Sequence, residues 1–188
     1  MARKLFIGLS IEFGPIVVFF LTAKRLGFIE STALFVALTG VSLIYAFFKE
    51  RRIAYFPLVA GASVIISGVA TLVYNEPLYL IVKDSVYNGV FALVLISGLI
   101  QGRGRLKKMF GNLFSMTDTG WKILSLRWAL FFIILTIGNE IVWRNFDEIA
   151  WVAYKGYSTF ATIIFAVYQF TLARKYRLPE ASAWGMKK

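Results

Sequence analysis

Six apolar runs occupy almost the whole chain: Leu5–Thr22, Phe28–Phe48, Ile53–Tyr74, Leu78–Gln101, Ile123–Trp143 and Ile149–Ala173. A helix needs about 20 mostly apolar residues, each rising about 1.5 Å, to cross the hydrocarbon core of a bilayer. In that solvent a lipid-facing backbone must satisfy its own amide groups, which leaves the α-helix. Only 16% of the residues are charged and 59% are apolar, whereas a soluble domain is about one quarter charged. The expected fold is an all-α integral membrane protein, a compact bundle of five to six transmembrane helices plus a short basic amphipathic interfacial helix. The connections are too short for a second domain. Residues 1–174 therefore read as one polytopic membrane domain, and 175–188 as a basic cytoplasmic tail.

The residue types present exclude much chemistry. There is no cysteine and no histidine, so disulfides, thiolate sites, the commonest general base and the commonest metal ligand are all missing. Lys83-Asp84-Ser85 places a lysine near a serine, but residues two apart on a helix face different ways, so no Ser–Lys dyad forms. No glycine-rich phosphate loop follows a strand, and no carboxylate pair sits in a hydrolase context. The expectation is a non-enzyme with no catalytic, cofactor-binding or metal-ligating residues.

The net charge of +11 finds its explanation in threading rather than in nucleic acid. One set of connections holds Arg3, Lys4, Lys49, Arg51, Arg52, Arg103, Arg105, Lys107, Lys108, Lys122, Arg174, Lys175, Arg177, Lys187 and Lys188. The other holds Lys24, Arg25 and Arg144. Cytoplasmic loops carry the excess of lysine and arginine, so fifteen against three places both termini in the cytoplasm. Aromatic clusters at Tyr45, Phe47, Phe48, Tyr55 and Phe56, and at Trp143, Phe146, Trp151 and Tyr154, mark opposite interfaces. The first run is the weak one. It carries Glu12, Gly14 and Pro15, and Pro15 removes a backbone donor and bends or breaks the helix there, so the segment is either broken or re-entrant, which leaves five full spans, or a sixth span. Lys24-Arg25 follows with no A-x-A cleavage site, which reads as an uncleaved anchor.

Three further patterns carry expectations. The third run is rich in small residues: Ala60, Gly61, Ser63, Ser67, Gly68, Ala70 and Thr71. Such a face lets helices approach closely in lipid, inside the bundle or, in the alternative, across a homo-oligomer. In the fourth loop Leu106, Met109, Phe110, Leu113 and Phe114 recur at helical spacing, with Arg105, Lys107 and Lys108 beside them. That pattern predicts a helix over about 104–115 lying flat on the anionic inner leaflet. Finally, Glu30, Lys83, Asp84, Glu140, Arg144 and Lys155 fall at one general depth near the outer side. An ionised group at the bilayer centre costs about 2.5–3.5 kcal/mol, so each needs a partner or water. The two readings are structural ion pairs and a small polar cavity.

The chain also resembles a known family. Gly14-Pro15-Ile16-Val17-Val18-Phe19-Phe20, Lys83, Phe91-Ala92, Trp121, Leu124, Arg127-Trp128-Ala129, Phe131-Phe132, Asn139-Glu140, Trp151 and Lys155-Gly156 are similar to the pattern of the intracellular septation protein A family. The resemblance implies a multi-pass protein of the bacterial inner membrane, linked to cell envelope maintenance, membrane homeostasis and septation through contacts with division and envelope-synthesis proteins. It implies no catalytic residues. The alternative reading from the residues is a small transporter or lipid-handling protein that uses the outer polar cluster. The Gly14-Pro15 break has no counterpart in the second half, so the inverted repeat that would favour transport is not evident.

Overall fold

Helix boundaries fall where glycine, proline and capping side chains interrupt the apolar runs. The computed structural model describes residues 2–50 and 55–187, with side chains at 2–13, 46, 49–50 and 55–60 outside the description. Expectations that rest on Glu12, Lys49, Arg51, Arg52, Tyr55, Phe56 and Ala60 lie outside the described residues. The described residues form seven helices: α1 (Ala2–Leu26), α2 (Phe28–Glu50), α3 (Tyr55–Tyr74), α4 (Leu78–Ile100), α5 (Leu106–Phe110), α6 (Asp118–Asn145) and α7 (Glu148–Lys175). Three of them hold stretches long and apolar enough to cross a membrane: Phe28–Tyr45 in α2, all of α4 and all of α6. Gly61–Tyr74 in α3 is a shorter apolar helix.

Of the two readings of the first run, the helix is not broken: α1 continues through Pro15. A single residue, Gly27, separates α1 from α2. Its φ of +96° is a region that side-chain-bearing residues rarely adopt, and glycine adopts it freely. The chain folds back there, with the Phe19 ring 5.5 Å from both Phe28 and Phe35. Asn75 at φ 54° closes α3, and Glu76 N–H donates to the Thr71 carbonyl at 3.1 Å. Pro77, whose missing N–H costs nothing at a helix start, leads into α4. Thr117 caps α6 by accepting from Gly120 N at 3.2 Å. Asp147 caps α7 by accepting from Ala150 N at 2.7 Å. Each such cap stabilises its helix by about 1 kcal/mol.

The chain divides into two compact units, residues 1–84 with 142–154, and residues 85–141 with 155–188. In the first, Phe19, Ala23, Phe28, Leu80, Ile81, Trp151 and Val152 form the core. Two of the small residues of α3, Gly61 and Gly68, pack here. A methyl group at Gly61 would come within 2.7 Å of Leu43, and one at Gly68 would overlap Val36, so α2 and α3 pack through these gaps. In the second unit, Leu95, Leu106, Met116, Trp121, Leu124, Ala129, Leu172 and Ala173 form the core. Trp128 and Phe131 extend it, with Phe165 at 5.0 Å and 4.2 Å from the two rings.

Hydroxyl groups along the helices bond to their own helix. Thr32 donates to Phe28 O, Thr39 to Phe35 O, Thr136 to Phe132 O and Thr162 to Ser158 O, at 2.7–2.9 Å. This satisfies a polar group where no water is available. Apolar stripes face outward: Leu126, Leu130, Ile134, Ile137 and Ile141 on α6, and Phe160, Ile163, Ile164 and Val167 on α7, are all exposed. Exposed apolar surface of that extent is a face made for lipid.

One expectation is corrected. The helix expected over 104–115 is the five residues of α5. Gly111 and Asn112 are poor helix formers, and Leu113 and Phe114 both donate back to the Phe110 carbonyl at 2.9 Å in a turn that ends the helix. The segment 113–117 then pairs with the C-terminal residues. Lys187 N donates to Leu113 O and Ser115 N to Gly185 O at 2.9 Å, Leu178 N to Ser115 O at 3.1 Å, and Thr117 N to Tyr176 O at 2.9 Å. Phe114–Met186 and Met116–Arg177 form isolated antiparallel bridges. Ala181 is buried beneath this layer.

Candidate functional site

Polar side chains in the apolar helices and a basic groove beside them are the two places where chemistry concentrates. On α4, Lys83 Nζ lies 3.2 Å from Asp84 Oδ1, both side chains largely buried. A pair removed from water offsets part of the desolvation that each charge alone would cost. The next residue, Ser85, works in the second unit. Its hydroxyl donates to Glu140 Oε1 at 2.5 Å and accepts from Asn139 Nδ2 at 2.9 Å. Ser85 is buried and Asn139 fully so. One hydroxyl thus serves as both donor and acceptor, and ties α4 to α6 within the apolar layer.

Of the six residues expected to cluster, Lys83 and Asp84 pair in the first unit and Glu140 joins Ser85 in the second. Glu30 is exposed at the start of α2, with its carboxylate beside Gly27. Arg144 is exposed and stacks its guanidinium over the Trp143 ring at 4.4 Å. Lys155 is half-buried on α7 and its carbonyl accepts from the Ser158 and Thr159 hydroxyls. Ser85 was weighed in sequence only as half of a dyad. Its tie to Asn139 and Glu140, more than 50 residues away, has no periodic signal. Arg127, an in-span charge that needs a partner, finds one that the sequence does not name. Its Nη1 donates to Gln169 Oε1 at 3.4 Å, and its guanidinium lies over the Tyr168 ring.

The eight residues expected on a lipid-facing helix are split by the short α5. Leu106 is buried in the core and Phe114 packs against it, 5.5 Å from the Phe170 ring. Met109, Phe110 and Leu113 remain exposed. Arg105, Lys107 and Lys108 turn toward a groove of about 540 Å³, lined also by Gln101, Gly102, Arg103, Gly104, Asp118 and Lys122.

Backbone geometry builds this groove. Gly102, at φ +70°, is the left-handed residue that ends α4. Its N–H donates to Leu99 O and Arg103 N–H to Gly98 O, both at 2.8 Å, which is a Schellman closure. Gly104 then passes so close to Trp121 that a methyl group there would meet the Trp121 carbonyl at 2.6 Å. Leu106 N–H reaches Ser125 Oγ on α6 at 3.4 Å. The aliphatic stem of Arg105 fills the space that a side chain at Gly98 would take. Lys107 Nζ holds Asp118 Oδ1 at 2.7 Å.

Comparison with known proteins fits this picture of long apolar helices and internal polar ties. Residues 7–180 match the family described as intracellular septation protein A. The chain belongs to that family. Its relatives include the inner membrane-spanning proteins YciB of Bradyrhizobium sp. (strain ORS 278), 35% identical over 175 residues covering 93% of this chain and 88% of that one, and of Nitrobacter hamburgensis, 36% identical with the same coverage. The YciB protein of Brucella melitensis biotype 1 is 36% identical over 188 residues, covering 92% of this chain and 94% of that one. No solved structure matches. The intracellular septation protein A family is thus a family of inner-membrane proteins, and the names of these relatives denote no enzyme.

Proposed function

We propose that this protein is a non-enzymatic inner-membrane protein of five to six spans with both termini in the cytoplasm. It serves cell envelope maintenance, membrane homeostasis and septation by contacting division and envelope-synthesis membrane proteins. The observation that carries the reading is the match of residues 7–180 to a family described by septation. Two features support it. The buried Ser85 and Asn139 and the half-buried Glu140 are engaged with one another, which suits a rigid helix assembly better than a solute path. Met109, Leu113, Trp184 and Met186 are exposed on the layer formed by α5 and the C-terminal residues. Large apolar side chains at the membrane edge suit contact with a partner or with the anionic inner leaflet.

Photocrosslinking in cells, with the reactive group at Met109 or Leu113, tests the reading. Recovery of a division or wall-synthesis protein is the expected result. Recovery of lipid alone from both positions would remove this layer as the contact face.

A further inference from the structure

We propose that the groove between the end of α4 and the first turn of α6 is a phosphate-binding site, occupied by the headgroup of an anionic phospholipid. Five of its nine lining residues are cationic: Arg103, Arg105, Lys107, Lys108 and Lys122. Asp118 is the only acid among them and it is taken by Lys107. Among the described residues no carboxylate lies within salt-bridge distance of Arg103, Arg105, Lys108 or Lys122, and Lys122 adds only a weaker attraction to the Asp118 already held by Lys107. Four cations gathered around one cleft repel one another, and a ligand carrying several negative charges relieves that repulsion.

The walls are fixed before any ligand arrives. The Schellman turn at Gly102, the contact of Gly104 with Trp121, the Leu106–Ser125 bond and the packing of Arg105 on Gly98 set the backbone from which these cations project. A preformed site loses less ordering entropy on binding. The volume, about 540 Å³, lies within the range of small-ligand clefts, about 300–1,000 Å³.

Position and lining select the ligand class. The groove lies where the apolar runs of α4 and α6 end, which is the level of lipid headgroups. Basic pockets between spans at that level hold headgroups with more than one phosphate. No aromatic side chain lines it, so a nucleobase would find no ring to stack on. A phosphodiester is bound by the guanidinium and ammonium groups alone. The inference rests on membrane embedding and not on any protein partner, so crosslinking to division proteins can fail while this site stands.

The test uses the full chain in nanodiscs, where both faces are open to ligand whichever way the chain threads. Native mass spectrometry counts retained lipid in phosphatidylcholine discs with and without cardiolipin. A parallel arm supplies inorganic phosphate to phosphatidylcholine discs. One cardiolipin per chain is expected. Arg103→Gln with Arg105→Gln, and separately Lys108→Gln with Lys122→Gln, each reduce retention about tenfold or more. Lys175→Gln with Lys187→Gln, an equal loss of charge outside the groove, changes it less than about twofold. If the arginine pair proves necessary for folding, the lysine pair, whose side chains are exposed, carries the test. Binding of inorganic phosphate without lipid retention, lost in the same variants, supports the phosphate site and assigns it a soluble ligand. Equal loss in all three double variants, or no retention of either probe, overturns the proposal.

Discussion

A methyl group added at Gly68 would overlap Val36, whereas one at Gly40 meets nothing within 4 Å. Both glycines lie in apolar helices, and sequence alone gives them the same weight. Gly68→Ala is expected to destabilise the protein by about 1–3 kcal/mol through overpacking. Gly40→Ala is expected to be neutral or stabilising, because alanine suits a helix interior better. Unfolding in detergent titration, followed by circular dichroism, separates them. Ser85 gives a second contrast. Ser85→Ala strips one partner each from Asn139 and Glu140 and is expected to cost about 0.6–2 kcal/mol, the range of interhelical hydrogen bonds in membranes. Ser97→Ala removes only a bond to Val94 O at an exposed position and is expected to cost far less. A Ser85→Ala protein as stable as the parent would mean that the α4–α6 tie does not contribute. None of these differences follows from residue type. They depend on which neighbour stands across the helix gap.

At the scale of elements, the long helices were legible because apolar runs bounded by Gly27, Asn75-Glu76-Pro77 and Thr117-Asp118 leave few alternatives. The Gly102–Thr119 connection was misread, and the reason is physical. Helical spacing of Leu106, Met109, Phe110, Leu113 and Phe114 measures a periodicity, but Gly111-Asn112 stops the helix before the second half can join it. Leu106 and Phe114 still point into one core, by a turn and not by a shared helix face. What holds 113–117 extended is the C-terminal segment, and local sequence does not encode that pairing. Deleting residues 178–188 removes the bonds at Leu113 and Ser115. The expected outcome is faster tryptic cleavage at Lys107 and Lys108, with the spans intact. Unchanged cleavage would show that the C-terminal pairing does not order the loop.

At the scale of the whole molecule, threading is set by charge, and the chain offers a clean assay because it has no cysteine. Single cysteines at Gln101 and Lys122 are expected to react with an impermeant thiol reagent only in permeabilised cells, and cysteines at Asn75 and Asp147 in intact cells. Labelling of Asn75 and Gln101 from one side would mean that α4 does not cross. The same scale decides how much membrane the protein occupies. Its outward apolar stripes on α6 and α7 have no soluble equivalent, and alkaline carbonate is expected to leave the protein in the membrane pellet.

The sequence by itself determined the solvent and the helical backbone. Those follow from free energies of transfer that add residue by residue along a run. Only the tertiary structure decided that Ser85 binds Glu140 and Asn139, that Gly61 and Gly68 of α3 face α2, that the last residues pair with 113–117, and that loop cations surround a groove. Each of these joins groups distant in the chain through contacts that act over a few ångströms. No local pattern encodes such a contact until the backbone has brought its partners together.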